Sequence, residues 1–260
     1  MKMSLSRIAM SLVGTTFLLF SASLPVFASE NQNDEWQFQL ATYGWLAGQE
    51  GSITPINGLP SVGIDLDFWD DILGNINGAF YLIGDARKGP FGLFMDFVYS
   101  DIEFEGSTPG SKFSSVSSQS KTWMFTTAGQ YRLVDDKSYS LDLLAGARYW
   151  ALESTVELTG GLFPGRKVTN TKNWIDPLVG TRGYATLGQS KFFIGGFFVI
   201  GGFGAGADLM WDVALNLGYH WTKMVSTTFG YRYLDVDYED DGFIFDVSQQ
   251  GPTLGLSWRF

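Results

Sequence analysis

Apolar residues recur at every second position through about ten segments of this chain, and the last such segment ends the sequence. A period of two marks a half-apolar β-strand. The closing residues GPTLGLSWRF put Leu254, Leu256, Trp258 and Phe260 on one side, with Thr253, Gly255, Ser257 and Arg259 on the other. Chain ends are usually polar and frayed, so a terminus of this kind is expected to be paired as a strand. The same alternation runs through EWQFQLATYGWLA (35–47), NGAFYLIGDARK (77–88), FGLFMDFVYSDIEF (91–104), TWMFTTAGQYRLV (122–134) and SYSLDLLAGARYWALE (138–153). It continues in NWIDPLVGTRGYATL (173–187), KFFIGGFFVIG (191–201), DLMWDVALNLGYHW (208–221) and VSTTFGYRYLDVDY (225–238).

Short turns alternate with longer connections. Lys88-Gly89-Pro90, Asp135-Asp136-Lys137, Gly188-Gln189-Ser190 and Thr222-Lys223-Met224 read as turns, whereas 48–76, 105–121 and 154–172 read as loops. Short turns at one end and long loops at the other predict a closed antiparallel up-and-down transmembrane β-barrel, with its short turns in the periplasm. About ten strands are expected, or eight if residues 195–206 are read differently. Within the first loop, DFWDDILGNI (67–76) places Phe68, Ile72 and Ile76 on one face of a helical turn folded over the mouth.

The N-terminus supports export. Lys2 and Arg7 precede the apolar run Ile8–Phe20, and Val26 and Ala28 stand where a signal peptidase reads. That run of about 13 residues falls short of the roughly 20 that a helical span needs. The expected organisation is a signal peptide at 1–28 and one barrel domain at 29–260. The net charge of −10 becomes two units more negative once Lys2 and Arg7 leave, which argues against nucleic acid as a partner. No cysteine is present, so neither disulfides nor thiol catalysis enter. With 22 Phe, 11 Tyr and 9 Trp and no long apolar helix, the chain has the profile of an outer-membrane barrel. A soluble periplasmic ligand-binding barrel is the alternative, but it would expose the aromatic faces to water.

The terminal strand with its final aromatic is similar to the assembly signal of outer-membrane barrels, carried here by Trp258 and Phe260. WIDPLVGTR (174–182), GGFGAGAD (201–208), GYRYLDVDYEDDG (230–242) and GPTLGLSWRF together resemble a group of small Gram-negative outer-membrane β-barrel-domain proteins, often labelled porin-like. The resemblance implies a barrel in the outer membrane, and it carries no catalytic residues over. It implies as partners outer-membrane lipid and lipopolysaccharide, and the barrel-assembly machinery and periplasmic chaperones during biogenesis. A monomer without a cofactor is expected.

Parity assigns the lumen. Arg87, Arg132, Arg148, Arg182, Arg232 and Arg259 fall on the inward face, with Arg166 in a loop. Asp85, Asp96, Asp142, Asp176 and Asp212 fall there too, as do Gln130, Asn216 and His220, while Lys88, Lys137, Lys191 and Lys223 sit at the turns. The guanidinium is a planar fork suited to carboxylates, so a lumen network of Asp96, Asp142, Arg148, Asp176, Arg182, Asp212 and Arg232 is expected. Two readings stay open: a structural plug of paired charges, and a charged constriction that selects solutes. Function divides likewise between passive passage of small hydrophilic solutes and a closed structural or surface-interaction barrel.

No catalytic constellation is apparent. The lone His220 reads as a hydrogen-bonded filler, and the glycine run 195–206 as a sharp bend rather than a phosphate cradle, since no helix follows it. Pro177 reads as a bulge near a strand end. Loop acids Asp65, Asp67, Asp70, Asp71, Glu103, Glu105, Asp237, Glu239, Asp240 and Asp241 read either as a solvated acidic rim or as a rim holding divalent cations against lipopolysaccharide phosphates, and they lack a defined coordination pattern.

Overall fold

The computed structural model describes residues 35–54, 60–107, 113–161 and 164–260, so the expected signal peptide lies outside the described residues. Twelve strands make one antiparallel sheet. They are β1 (Gln37–Trp45), β2 (Gly48–Ile53), β3 (Val62–Leu66), β4 (Ile76–Lys88), β5 (Phe91–Ser107) and β6 (Phe113–Asp135). The second half supplies β7 (Tyr139–Gly160), β8 (Arg166–Thr186), β9 (Phe192–Gly202), β10 (Leu209–His220), β11 (Val225–Asp240) and β12 (Phe243–Arg259). Ten of these, β1 and β4 to β12, run up and down and close where β1 pairs with β12. The extra hairpin β2–β3 continues the sheet from the upper part of β12.

Closure happens at the last residue. Phe260 donates its N–H to the Phe38 carbonyl at 2.9 Å, and Phe38 donates back at 3.3 Å. Alternation then sorts the faces. Phe38, Phe125, Leu215, Phe229 and Leu254 are exposed on the outer wall, while Thr126, Ser226 and Thr253 are buried inside. A belt of large apolar side chains on a closed wall is stable where the surrounding medium is lipid.

The wall is uneven in height. β6, β7 and β8 have 23, 22 and 21 residues, whereas β9 and β10 have 11 and 12. Two of the expected long loops are therefore mostly strand: among the described residues β5 and β6 pair over 105–107 and 115–121, and β7 and β8 over 154–158 and 166–172, with Arg166 the first residue of β8. Glu103, Glu105, Asp237, Glu239 and Asp240 lie on strands as well, and Asp65 on β3. Segments such as FSSVSSQSKT carry polar residues on both faces, so hydropathy shows no period. Their Thr and Val still favour the extended backbone.

Pro177 causes no register shift opposite Ala147. Its carbonyl faces Gly201, and the β8–β9 ladder begins only at Leu178, so the missing N–H removes no ladder bond. The glycine run does end in a sharp turn, with positive φ at Gly202, Phe203 and Gly204. The helical turn also forms: Asp67 caps Trp69 and Asp70 at 2.7 and 3.1 Å, and Phe68 and Ile72 are buried against Ile102 and Ile76.

The interior departs from a simple polar-in rule. Toward the hairpin end the inward side chains are Trp45, Met124, Trp150, Leu152, Trp174, Val236, Tyr238 and Phe243, which pack as one apolar cluster. Met124 beside the outward Phe125 and Trp174 beside the outward Ile175 lie level with the outer belt, so at this height apolar side chains fill the lumen itself.

Candidate functional site

The lumen is stacked in three layers, each set by the level at which inward positions of neighbouring strands meet. At mid-height β1, β5, β7, β10 and β11 bring together Tyr43, Asp96, Arg148, Asp212 and Arg232. Arg232 donates from Nε to Asp212 Oδ1 at 3.0 Å, and from Nη2 to Asp212 Oδ2 and Asp96 Oδ2 at 2.7 Å each. Its Nη1 donates to the Tyr43 hydroxyl at 2.6 Å, which donates onward to Asp96 Oδ1 at 2.8 Å. Arg148 donates to Asp212 Oδ2 at 2.6 Å, to Thr126 Oγ1 at 2.8 Å and to Met210 Sδ at 3.3 Å. Both guanidinium groups are about 1% exposed and both carboxylates 0%. Aromatic faces complete the enclosure: the Arg232 guanidinium lies 4.8 Å from the Trp45 ring centre and 5.3 Å from that of Phe197. Two cations and two anions make a neutral layer.

Asp176 takes no part in that exchange. Although it is the register partner of Arg148, it accepts from Trp150 Nε1 at 2.8 Å, Trp174 Nε1 at 3.0 Å and the Ala207 N–H at 2.6 Å. The carboxylate thus pins the β9–β10 turn to the wall. Gly206 passes so close that a Cβ there would lie 2.5 Å from Asp176 Oδ1. Above it Trp150 and Trp174 stack at 5.4 Å, and Trp174 stacks on Tyr238 at 3.9 Å. Lys172 reaches Asp240 at 2.9 Å, joining β8 to β11 above the short β9–β10 hairpin. That hydrogen bond raises the Lys172 ammonium above its ordinary range and lowers the Asp240 carboxyl below its own.

At the turn end the lumen opens into a chamber of about 340 Å³. Asp142 and Arg182, expected in one network with the mid-height residues, stand here instead. Asp142 binds Arg132 at 2.6 Å and lies 2.9 Å from Arg87, while Arg182 pairs with Asp85. His220 is held between the Tyr184 hydroxyl (2.9 Å) and Ser226 Oγ (2.6 Å), with its ring on Phe193. That is the bonding of a filler. Arg259 is exposed at the mouth, 3.5 Å from Gln39 Oε1.

Sequence reasoning missed Tyr43, Trp45, Thr126, Trp150 and Met210. The signal that reaches them is the parity that picked the arginines, for all five share the inward register. Among the described residues no group of three or more acids and histidines is arranged to hold a metal.

Neither a protein-family model nor a curated protein matches the chain. Its fold has solved counterparts. The outer membrane protease OmpT from Escherichia coli is 14% identical with a TM-score of 0.54, the match covering 90% of this chain and 99% of that one. The fold is that of an outer-membrane barrel. Two looser likenesses are the translocator domain of the autotransporter NalP from Neisseria meningitidis and Ail, the attachment invasion locus protein of Yersinia pestis. The first is 11% identical with a TM-score of 0.45, covering 88% of this chain and 90% of that one. Ail is 11% identical with a TM-score of 0.37, covering 88% and 100%. At such identities only the outer-membrane barrel fold carries over.

Proposed function

We propose that this protein is exported by its N-terminal leader and resides in the outer membrane as a closed, porin-like barrel. On this reading the short turns face the periplasm and the β5–β8 hairpins stand outside the cell as structural or interaction surface. Its partners are outer-membrane lipid and lipopolysaccharide, with periplasmic chaperones and the barrel-assembly machinery during biogenesis. The observation that carries the reading is the mid-height layer: two arginines and two aspartates, all essentially unexposed, capped by packed tryptophans. Next to that cap, the cavity among Trp45, Ile72, Met124 and Trp150 amounts to about 30 Å³, on the scale of a water or two. Hydrated ions have no route through such a stack.

The test is a planar-bilayer recording of the full mature chain. No steady openings are expected, and Arg182→Ala is expected to lower thermal stability without creating them. Steady, ion-selective openings altered by Arg182→Ala would overturn the reading. They would favour the second one, passage of small hydrophilic solutes, which the turn-end chamber supports as half of a path. A non-enzymatic role fits His220, whose two ring nitrogens are both engaged by neighbouring hydroxyls.

A further inference from the structure

The closed mid-layer makes the turn-end chamber blind, and its donors and acceptors do not balance. Arg132 places Nε and Nη2 on the two oxygens of Asp142, at 2.6 and 3.3 Å. Arg87 approaches the same carboxylate from the other side, its Nη2 2.9 Å from Oδ2. The approach lacks hydrogen-bonding geometry, and that nitrogen has no hydrogen-bond partner although Arg87 is only 8% exposed. Its Nη1 reaches no further than the Pro90 carbonyl, at 3.4 Å. Asp85 is similarly loaded, since its Oδ2 accepts from both Arg182 and Gln130. Arg132 has a further acceptor in Asp135, which takes its Nη1 at 2.8 Å, so the nitrogen left over is that of Arg87, and a buried donor left without an acceptor is costly.

The rest of the chamber is not a salt lattice. Phe94, Phe193, Phe197 and Ile83 line it together with the arginines, and the Arg182 guanidinium sits 5.4 Å from the Phe94 ring centre. The volume of about 340 Å³ falls in the range of small-molecule pockets. Arginine forks bind carboxylates through paired hydrogen bonds, and the phenylalanines accept an apolar body.

We propose that this chamber is a binding site for a small organic anion, a carboxylate on an aromatic or aliphatic body, entering from the turn end and satisfying Arg87. The proposal stands whether the barrel is silent or conducts.

The test uses the full mature chain in a non-ionic detergent, titrated calorimetrically with 3-phenylpropionate and with its neutral amide, which controls for uptake into the micelle. Saturable binding of the acid is expected, with the amide weaker by about tenfold or more, the order of one charged hydrogen bond. Arg87→Gln is expected to weaken the acid by a similar factor. Asp142→Asn removes the competing negative charge, so it is expected to tighten the acid severalfold, an increase that misfolding cannot produce. Equal uptake of acid and amide would overturn the proposal, as would an acid affinity that Asp142→Asn leaves unchanged or weakens.

Discussion

Arg232 places three nitrogens on four oxygens, and the two carboxylates among those partners, Asp96 and Asp212, are fully buried. Such a group stabilises little by existing and costs much when broken, because its partners stay behind as buried charges. Arg232→Ala is therefore expected to destabilise the barrel by about 3–5 kcal/mol in urea unfolding from micelles; a loss below about 1 kcal/mol would mean that the layer is not a unit. Asp176 makes a sharper case. One of its oxygens takes both indole N–H groups and the other the Ala207 amide. Asparagine can serve one set and must turn its own N–H₂ toward the other. Asp176→Asn is expected to cost about 1–3 kcal/mol per donor left unsatisfied. It should also change the near-ultraviolet dichroism of the stacked Trp150–Trp174 pair, a readout that a general loss of stability leaves unmoved below the transition. Gly206→Ala attacks the same joint through backbone crowding, and overpacking of this kind costs roughly 1–3 kcal/mol.

At the level of elements, the last strand both ends the chain and seals the sheet. Deleting Phe260 removes the β1–β12 backbone pair at the seam. The deletion, or Phe260→Asp, is expected to block insertion, seen as loss of the protein from outer-membrane fractions; normal levels would show the aromatic to be incidental. A second seam joins β8 to β11 through Lys172 and Asp240. The lowered Asp240 carboxyl contributes fully above the ordinary carboxylate range, and its share is lost as pH falls through the depressed folded value. The raised Lys172 ammonium contributes below the ordinary lysine range and is lost as pH rises through the elevated one. The melting difference between wild type and Lys172→Ala should therefore stay flat from about pH 5 to 9 and shrink on either side.

These elements also show what was legible beforehand. Period two located nearly every strand within the lipid belt, because there one face must be apolar and the other must not. It fell silent at 105–121 and 154–172, where water lies on both sides and Ser, Thr and Asn occupy both faces. Parity likewise placed all seven predicted network residues inward. It could not rank their heights, so Asp142 and Arg182 separated from the mid-layer, and Asp176 found indoles where an arginine was expected. Alternation says which way a side chain points; the partner depends on stagger between strands, which no single segment encodes.

At the scale of the molecule, the unequal strands have a mechanical meaning. A tilted strand crosses the bilayer in roughly ten residues, which is all that β9 and β10 possess. β6, β7 and β8 have about ten more, enough at about 3.4 Å per residue and a tilt near 40° for a rise of about 25 Å. Because the chain has no cysteine, single cysteines can survey this profile on intact cells. A bulky maleimide is expected to label Thr171→Cys readily and Ala205→Cys poorly; equal labelling would show the two sides to be level. A cylinder with one parapet and one low sill is not free to meet its neighbours in any rotation. Other proteins crowding the same leaflet can lie flush only along the low side, so the strand lengths of a single chain would fix which of its flanks faces company and which stands clear.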